Sequence, residues 1–218
     1  MTAILLDAMG TLVELEDPAP HLVAELAARG VSVALPDARR AIRAEIALYR
    51  AEHDTAVDAP SLRALRERCA AVVATELGGL AADVALDALL GAIRFRAYPE
   101  VPGVLAALRA RGDRLAVVSN WDVSLHDVLE RTRLRGLVDA VVVSATAGAA
   151  KPDPAIFTQA LAALGARPEE ALHAGDDLDA DVAGARAAGI AAVLVARDGA
   201  AVPAGVRAIA SLDGLLVA

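Results

Sequence analysis

The chain has 218 residues, a formal net charge of −8 and a pI near 5.0, which argues against nucleic acid or an anionic membrane as a partner. Hydrophobic residues make up 56% and the mean hydropathy is +0.48, but much of the excess is Ala and Val, and no stretch of about 18 uncharged apolar residues forms a membrane span. Cys69 is the single cysteine, which excludes an internal disulfide, and no Cys/His cluster offers a zinc site.

The stretch Ile4 to Leu12, ILLDAMGTL, opens as an apolar run and breaks at Asp7, before the turn-forming Gly10 and the polar Thr11. This predicts a buried strand that delivers one carboxylate to a loop. In an open parallel sheet the carboxyl ends of strands are where ligands bind, so Asp7 is placed for chemistry. No basic region precedes the run and Asp7 interrupts it, so a cytoplasmic protein without a signal peptide is expected.

From Pro18 to about Ile93 the apolar residues recur with helical spacing. Ile42, Ile46 and Tyr49 share one face of a helix beginning near Pro36, and Leu62, Leu65, Cys69 and Val72 share another, which makes Cys69 a core residue. Breaks at Gly30 to Pro36, Asp58 to Pro60 and Gly78-Gly79 divide the region into about four helices. This predicts an all-helical domain over residues 16–95, inserted into a core domain made of residues 1–15 and 96–218, and capping the sheet end at which Asp7 sits.

Strand and helix alternate after the insertion. Pro102 and Gly112 bracket a helix from about Gly103 to Arg111, and the strand Arg114 to Val118 runs into Ser119-Asn120. A helix near Val123 is expected to take Asp122 as its cap, and Ala140 to Val143 reads as the next strand. Lys151-Pro152-Asp153-Pro154 then leads a helix to Leu164, with Asp153 at its N-cap and Pro154 at N1. The strand Ala171 to Ala174 enters Gly175-Asp176-Asp177, a small-residue helix covers about Leu178 to Ala188, and a last strand covers Ile190 to Val195. Such alternation predicts a doubly wound α/β core with a parallel sheet.

The polar residues that follow these strands are Asp7, Ser119-Asn120, Lys151, and Asp176-Asp177 with Asp181. Each has a plain local reading as a turn former, surface charge or helix cap. Together they supply a nucleophile, hydroxyl and backbone donors for an anion, one cation and a carboxylate cluster. Of the 21 basic residues only Lys151 is a lysine, which marks it as a position suited to a compact ammonium.

That set, in that order, resembles the haloacid dehalogenase superfamily of hydrolases across the whole chain. The matching pieces are Asp7-Ala8-Met9-Gly10-Thr11-Leu12, Ser119-Asn120, Lys151-Pro152, and Gly175-Asp176-Asp177 through Asp181, with the helical cap inserted after the first. The resemblance implies that Asp7 attacks the substrate and forms an aspartyl intermediate. It implies Mg²⁺ held by Asp7, Asp176 and a backbone carbonyl near Met9, with Asp177 or Asp181 completing the outer shell. Lys151 would hold nucleophile and phosphate together, and Ser119 with the Asn120 amide would hold the oxygens of the transferred group. Some such cation is needed, since two unit charges at ~4 Å repel by about 4 kcal/mol at an effective dielectric near 20.

The sequence departs from the family at Met9, where phosphatases of this superfamily usually carry a second Asp as general acid and base. That function is typically worth about 10²- to 10⁴-fold. The expected activity is a Mg²⁺-dependent phosphatase acting on a small phosphorylated metabolite, as a monomer or homodimer. The alternatives are a metal-free 2-haloacid dehalogenase, whose first motif Asp7-Ala8 also resembles, and a non-catalytic protein that binds metal or phosphate. A phosphonoacetaldehyde hydrolase is set aside because its cap lysine forms a Schiff base and this helical region has none. Arg43, Tyr49, Arg50 and His53 are the cap side chains expected to choose the substrate, and Trp121 lines the pocket mouth or packs beside its helix.

Overall fold

The apolar run after the N-terminus forms β1 (Ala3–Leu6), all four of whose residues are buried, and β2 (Val13–Leu15) follows a short loop. Four helices come next: α1 (Pro18–Ala27), α2 (Leu35–Glu52), α3 (Ala59–Glu76) and α4 (Ala82–Ala92). Beyond them lie β3 (Phe95–Ala97), α5 (Val101–Ala110), β4 (Arg114–Ser119), α6 (Leu125–Arg131), β5 (Ala140–Val143), α7 (Ser144–Ala147) and α8 (Pro154–Leu164). Then come β6 (Ala171–Gly175), a π-helical segment Leu178–Ala183, α9 (Gly184–Ala187), β7 (Ala191–Val195), β8 (Ala208–Ile209) and a 3-10 turn Leu212–Leu215. The computed structural model describes residues 2–197, 199 and 202–217.

Six strands form one sheet in the order β5-β4-β1-β6-β7-β8, and the neighbouring strands run parallel. A parallel sheet covered by helices on both faces buries both sides of its central strand, which is why β1 reads as an unbroken apolar run instead of alternating. Ala3 and Leu5 of β1 join Ala116 and Val118 of β4 in a cluster with Ile156, Phe157 and Ala160 of α8. From β1 the chain goes to β4 and β5 on one side and then crosses to β6 on the other, so the carboxyl ends of β4, β1 and β6 lie side by side at a topological switch point, with Leu6 opposite both Val117 and Ala174. The doubly wound α/β reading of the sequence is the observed architecture.

The chain divides into two compact units, one made of Met1–Glu14 with Arg96–Ala218 and the other of Leu15–Phe95. The second unit is helical: α2 packs on α3, α1 on α4, α3 on α4 and α1 on α2. Asp58 opens α3 with a reciprocal cap, accepting from Ser61 N while Ser61 Oγ accepts from Asp58 N. The buried seam of α3 runs Leu62, Leu65, Cys69, Val73, so Val73, four residues beyond Cys69, takes the position expected of Val72. This unit also buries a carboxyl group, Glu45, beside Cys69. Arg43 and Arg50 are exposed, whereas Tyr49 and His53 are half-buried with ring centroids 5.7 Å apart. Among the described residues no helix is long and apolar enough to cross a membrane.

Two local expectations are corrected. The helix expected near Val123 begins at Leu125; Asp122 instead closes the preceding turn, its Oδ1 accepting from Ser124 N at 2.6 Å. The helix expected over Leu178 to Ala188 is a π-helical turn that passes into a short α-helix. Trp121, expected at the pocket mouth or packed beside its helix, is buried at 5% exposure. Strands β2, β3 and β8 have only two or three residues each, too few to leave a period in the sequence.

Candidate active site

Asp7 follows the last residue of β1, and its N–H continues the sheet by donating to Ala174 O at 2.9 Å. Its carboxylate is thereby held over the switch point with only 5% exposure. Oδ1 accepts from Ser119 Oγ at the end of β4 (2.9 Å) and from Lys151 Nζ (2.6 Å). Lys151 reaches it from the loop before α8, and the same Nζ donates to Asp181 Oδ1 at 2.6 Å. The one lysine of the chain is therefore a buried cation between two carboxylates, a place suited to a tetrahedral ammonium more than to a planar fork.

Asn120 fixes that lysine from below. Its side-chain amide donates to Lys151 O at 2.9 Å and its Oδ1 accepts from Lys151 N at 2.7 Å, a two-point clasp between segments 31 residues apart. The side chain of Asn120 thus holds the backbone of Lys151.

Asp176 and Asp181 come from the segment after β6. Asp181 is 1% exposed and fully engaged: Oδ1 takes Lys151 and His173 Nε2 (2.9 Å), and Oδ2 accepts from Asp177 N at 3.0 Å. Asp177 stands apart from the cluster. Its Oδ1 caps the helical turn by accepting from Asp179 N (2.8 Å) and Ala180 N (2.7 Å), the use to which acids at helix starts are commonly put. The ligand atoms of Asp7, Asp176 and Asp181 lie within 4.8 Å of one another.

Two glycines allow this crowding. Gly10 has φ +74°, and a Cβ there would collide with the Asp176 carboxylate; a Cβ on Gly175 would collide with that of Asp181. Any other residue at either position would push an acid out of the cluster.

The charges respond accordingly. Burial raises Asp7 above the ordinary carboxylate range, Lys151 opposing that rise and Asp181 adding to it. Loss of hydration, then the charges of Asp7 and Asp181, push Asp176 up to about 7. Asp181 is moved the other way: burial opposes ionisation, but the hydrogen bond from His173 and the charge of Lys151 outweigh it and hold the group well below its usual value. Burial would depress Lys151, yet its two carboxylate partners raise it, so it is a cation at neutral pH.

No motif in the sequence marks His173. It is fully buried in β6, T-shaped against Phe157 at 5.1 Å, and reaches Asp181. Its only signal was a histidine within an otherwise apolar strand. Met9 lies on the loop between Asp7 and β2 with 36% of its surface exposed, and offers no titratable group.

The residues present fit a hard divalent cation. Three carboxylates lie together with one ammonium pairing with two of them, and an octahedral Mg²⁺ holds oxygens up to ~4.2 Å apart, close to the observed spread. Asp176, pushed up by loss of hydration and then by its neighbours' charge, is a group such an ion would relieve.

A profile of a family described as haloacid dehalogenase-like hydrolase matches residues 1–189. The phosphoserine phosphatase of Thermus thermophilus is 42% identical over 105 residues, which are 48% of this chain and 42% of that relative, so the chain spans less than half the length of this curated relative. Among solved structures, a phosphatase from Thermococcus onnurineus matches with a TM-score of 0.68 at 25% identity, covering 99% of this chain and 96% of that one. A 2-haloacid dehalogenase from Pseudomonas syringae pv. Tomato matches with a TM-score of 0.70 at 23% identity, covering 100% and 97%. The fold alone therefore accommodates both chemistries.

Proposed function

Because the chain belongs to the haloacid dehalogenase-like hydrolases, we propose that it is a Mg²⁺-dependent phosphatase of a small phosphorylated metabolite, working through an aspartyl-phosphate on Asp7. The carrying observation is the excess of carboxylate at the sheet end: Asp7, Asp176 and Asp181 lie within 4.8 Å of one another, and one ammonium, Lys151, pairs with Asp7 and Asp181. A 2-haloacid would bring a further carboxylate to that cluster, which disfavours the dehalogenase reading. The phosphatase named among the relatives supports the same choice.

Asp7 Oδ1 is occupied by Lys151 and Ser119, which leaves Oδ2 as the attacking oxygen. Oδ2 forms a bond to phosphorus as the bond to the leaving oxygen breaks, and that oxygen departs with the electron pair. Water then bonds to phosphorus and passes one proton to a phosphate oxygen or to solvent, the Asp7–phosphorus bond breaks with its pair returning to the carboxylate, and phosphate is released. Lys151 offsets the approach of like charges and keeps the nucleophile oriented, while Asp181 and Asn120 keep Lys151 in place. Mg²⁺, with Asp7, Asp176 and the Met9 carbonyl as proposed ligands and Asp181 beside them, would supply the remaining positive charge. Met9 gives the leaving oxygen no proton, so that proton comes from solvent or the leaving group departs without one.

A screen of phosphorylated metabolites with and without Mg²⁺, with 2-haloacids in parallel, tests the reading. Phosphate release that requires the metal is expected; halide release without metal would overturn it.

A further inference from the structure

Arg197 lies just beyond the end of β7, at the same sheet end as the site residues and past the last residue matched by the family profile. Its Nε donates to Gly10 O at 2.9 Å, its Nη2 to Thr11 O at 2.6 Å and its Nη1 to Glu100 Oε1 at 2.7 Å. The ring of Tyr98 covers its face, with the guanidinium carbon 3.5 Å from the ring centroid. All three guanidinium nitrogens are thus committed, and two of them hold consecutive carbonyls of the loop that begins at Asp7.

We propose that Arg197 is a positioning residue of the catalytic loop, holding Gly10 and Thr11 so that Asp7 and Asp176 keep their mutual placement. Peptide planarity carries the argument: fixing two successive carbonyls fixes two peptide planes. The rest of the loop is closed from within by Gly10 N to Val13 O (2.9 Å) and Leu12 N to Ala8 O (2.8 Å). Gly10, whose carbonyl Arg197 grips, is also the residue whose α-carbon lies against the Asp176 carboxylate. A shift of Gly10 therefore moves either that acid or the nucleophile beside it. A planar fork presents separate nitrogens to two neighbouring carbonyls and a carboxylate while its face stacks on an aromatic ring; a lysine's three donors share one nitrogen and leave no flat face to stack.

The inference rests on the phosphatase reading for its kinetic consequence and not for its structural one, and the experiment separates the two. Wild type, Arg197→Lys and Arg197→Ala are compared with p-nitrophenyl phosphate and Mg²⁺, together with amide exchange followed by mass spectrometry. With folding retained by circular dichroism, exchange should accelerate in the segment 7–13, and kcat should fall on the order of 10²-fold with KM within about twofold. Millimolar ethylguanidinium should restore part of kcat to Arg197→Ala and none to Arg197→Lys, whose own side chain fills the slot. A kcat near the wild-type value in both variants overturns the proposal, as does a loss of kcat that merely follows global unfolding and is not rescued. If wild type hydrolyses no phosphate ester, the phosphatase reading fails by itself, and exchange decides the clamp: unchanged protection of segment 7–13 in Arg197→Ala overturns it, and selective acceleration there sustains it.

Discussion

The ammonium of Lys151 and the carboxylate of Asp7, 144 residues apart in sequence, meet at 2.6 Å in a buried ion pair. Lys151 also neutralises Asp181, so removing its charge leaves two buried acids facing each other. Lys151→Met should lower unfolding stability by roughly 3–5 kcal/mol, the cost of breaking a buried pair from one side. Lys151→Arg keeps the charge but not the shape, and should lose at least about 10²-fold in turnover. Urea unfolding and steady-state rates check both; an arginine variant with near-native kcat would show that only charge matters here.

The metal proposal makes a binding prediction that needs no substrate. Excess Mg²⁺ should raise the thermal midpoint of wild type, since a ligand at about 100 times its Kd stabilises the folded state by ~2.7 kcal/mol. Asp176→Asn should abolish that shift while leaving the metal-free midpoint unchanged or higher, because it removes a carboxyl whose ionisation is disfavoured by loss of hydration and by the charges of Asp7 and Asp181. Differential scanning calorimetry with and without Mg²⁺ reads the outcome; an undiminished shift in the variant would assign the ion elsewhere.

Met9 bears on leaving groups. With no acid at this position, rates should fall steeply as leaving-group pKa rises, so aryl and acyl phosphates outrun alkyl phosphates. Met9 is on the loop surface with 36% exposure, so Met9→Asp has room and should flatten that dependence, helping alkyl phosphates most. Plotting log kcat/KM against leaving-group pKa for both proteins provides the test. A shallow slope already present in wild type would mean that another group donates the proton.

Glu45 offers a pH-dependent stability test in the helical unit. Burial raises its carboxyl above the ordinary 4.5, against a smaller opposing hydrogen bond with Cys69. The Cys69 thiol is in turn pushed up to about 12 by burial and by Glu45. A raised carboxyl means the folded state holds the proton more tightly than the unfolded chain does. Its stabilising contribution is complete below 4.5 and is lost as pH rises through the raised value. Glu45→Gln should therefore gain about 1 kcal/mol at pH 7, with the advantage vanishing toward pH 4. Thermal melts at the two pH values decide it, and a variant less stable at pH 7 would refute the sign.

What the sequence determined by itself was local in origin. The unbroken apolar run before Asp7, the Pro and Gly brackets around α5 and α8, and the change from helical to alternating elements depend on neighbours within one or two turns, and they specified an α/β core interrupted by helices. The residues following the strands could be gathered at one sheet end for the same reason. What those residues touch was decided by the order β4-β1-β6, which brings together side chains more than a hundred positions apart. Only that juxtaposition separates Asp181, which braces Lys151, from Asp177 four residues earlier, which caps a helical turn. It likewise turns the Asn120 side chain onto the backbone of Lys151 and brings His173 to Asp181. Arg197 was silent in the sequence because one arginine among 20 has no period or neighbouring motif to mark it. Its place beneath the nucleophile loop exists only once β7 and β1 are in the same sheet.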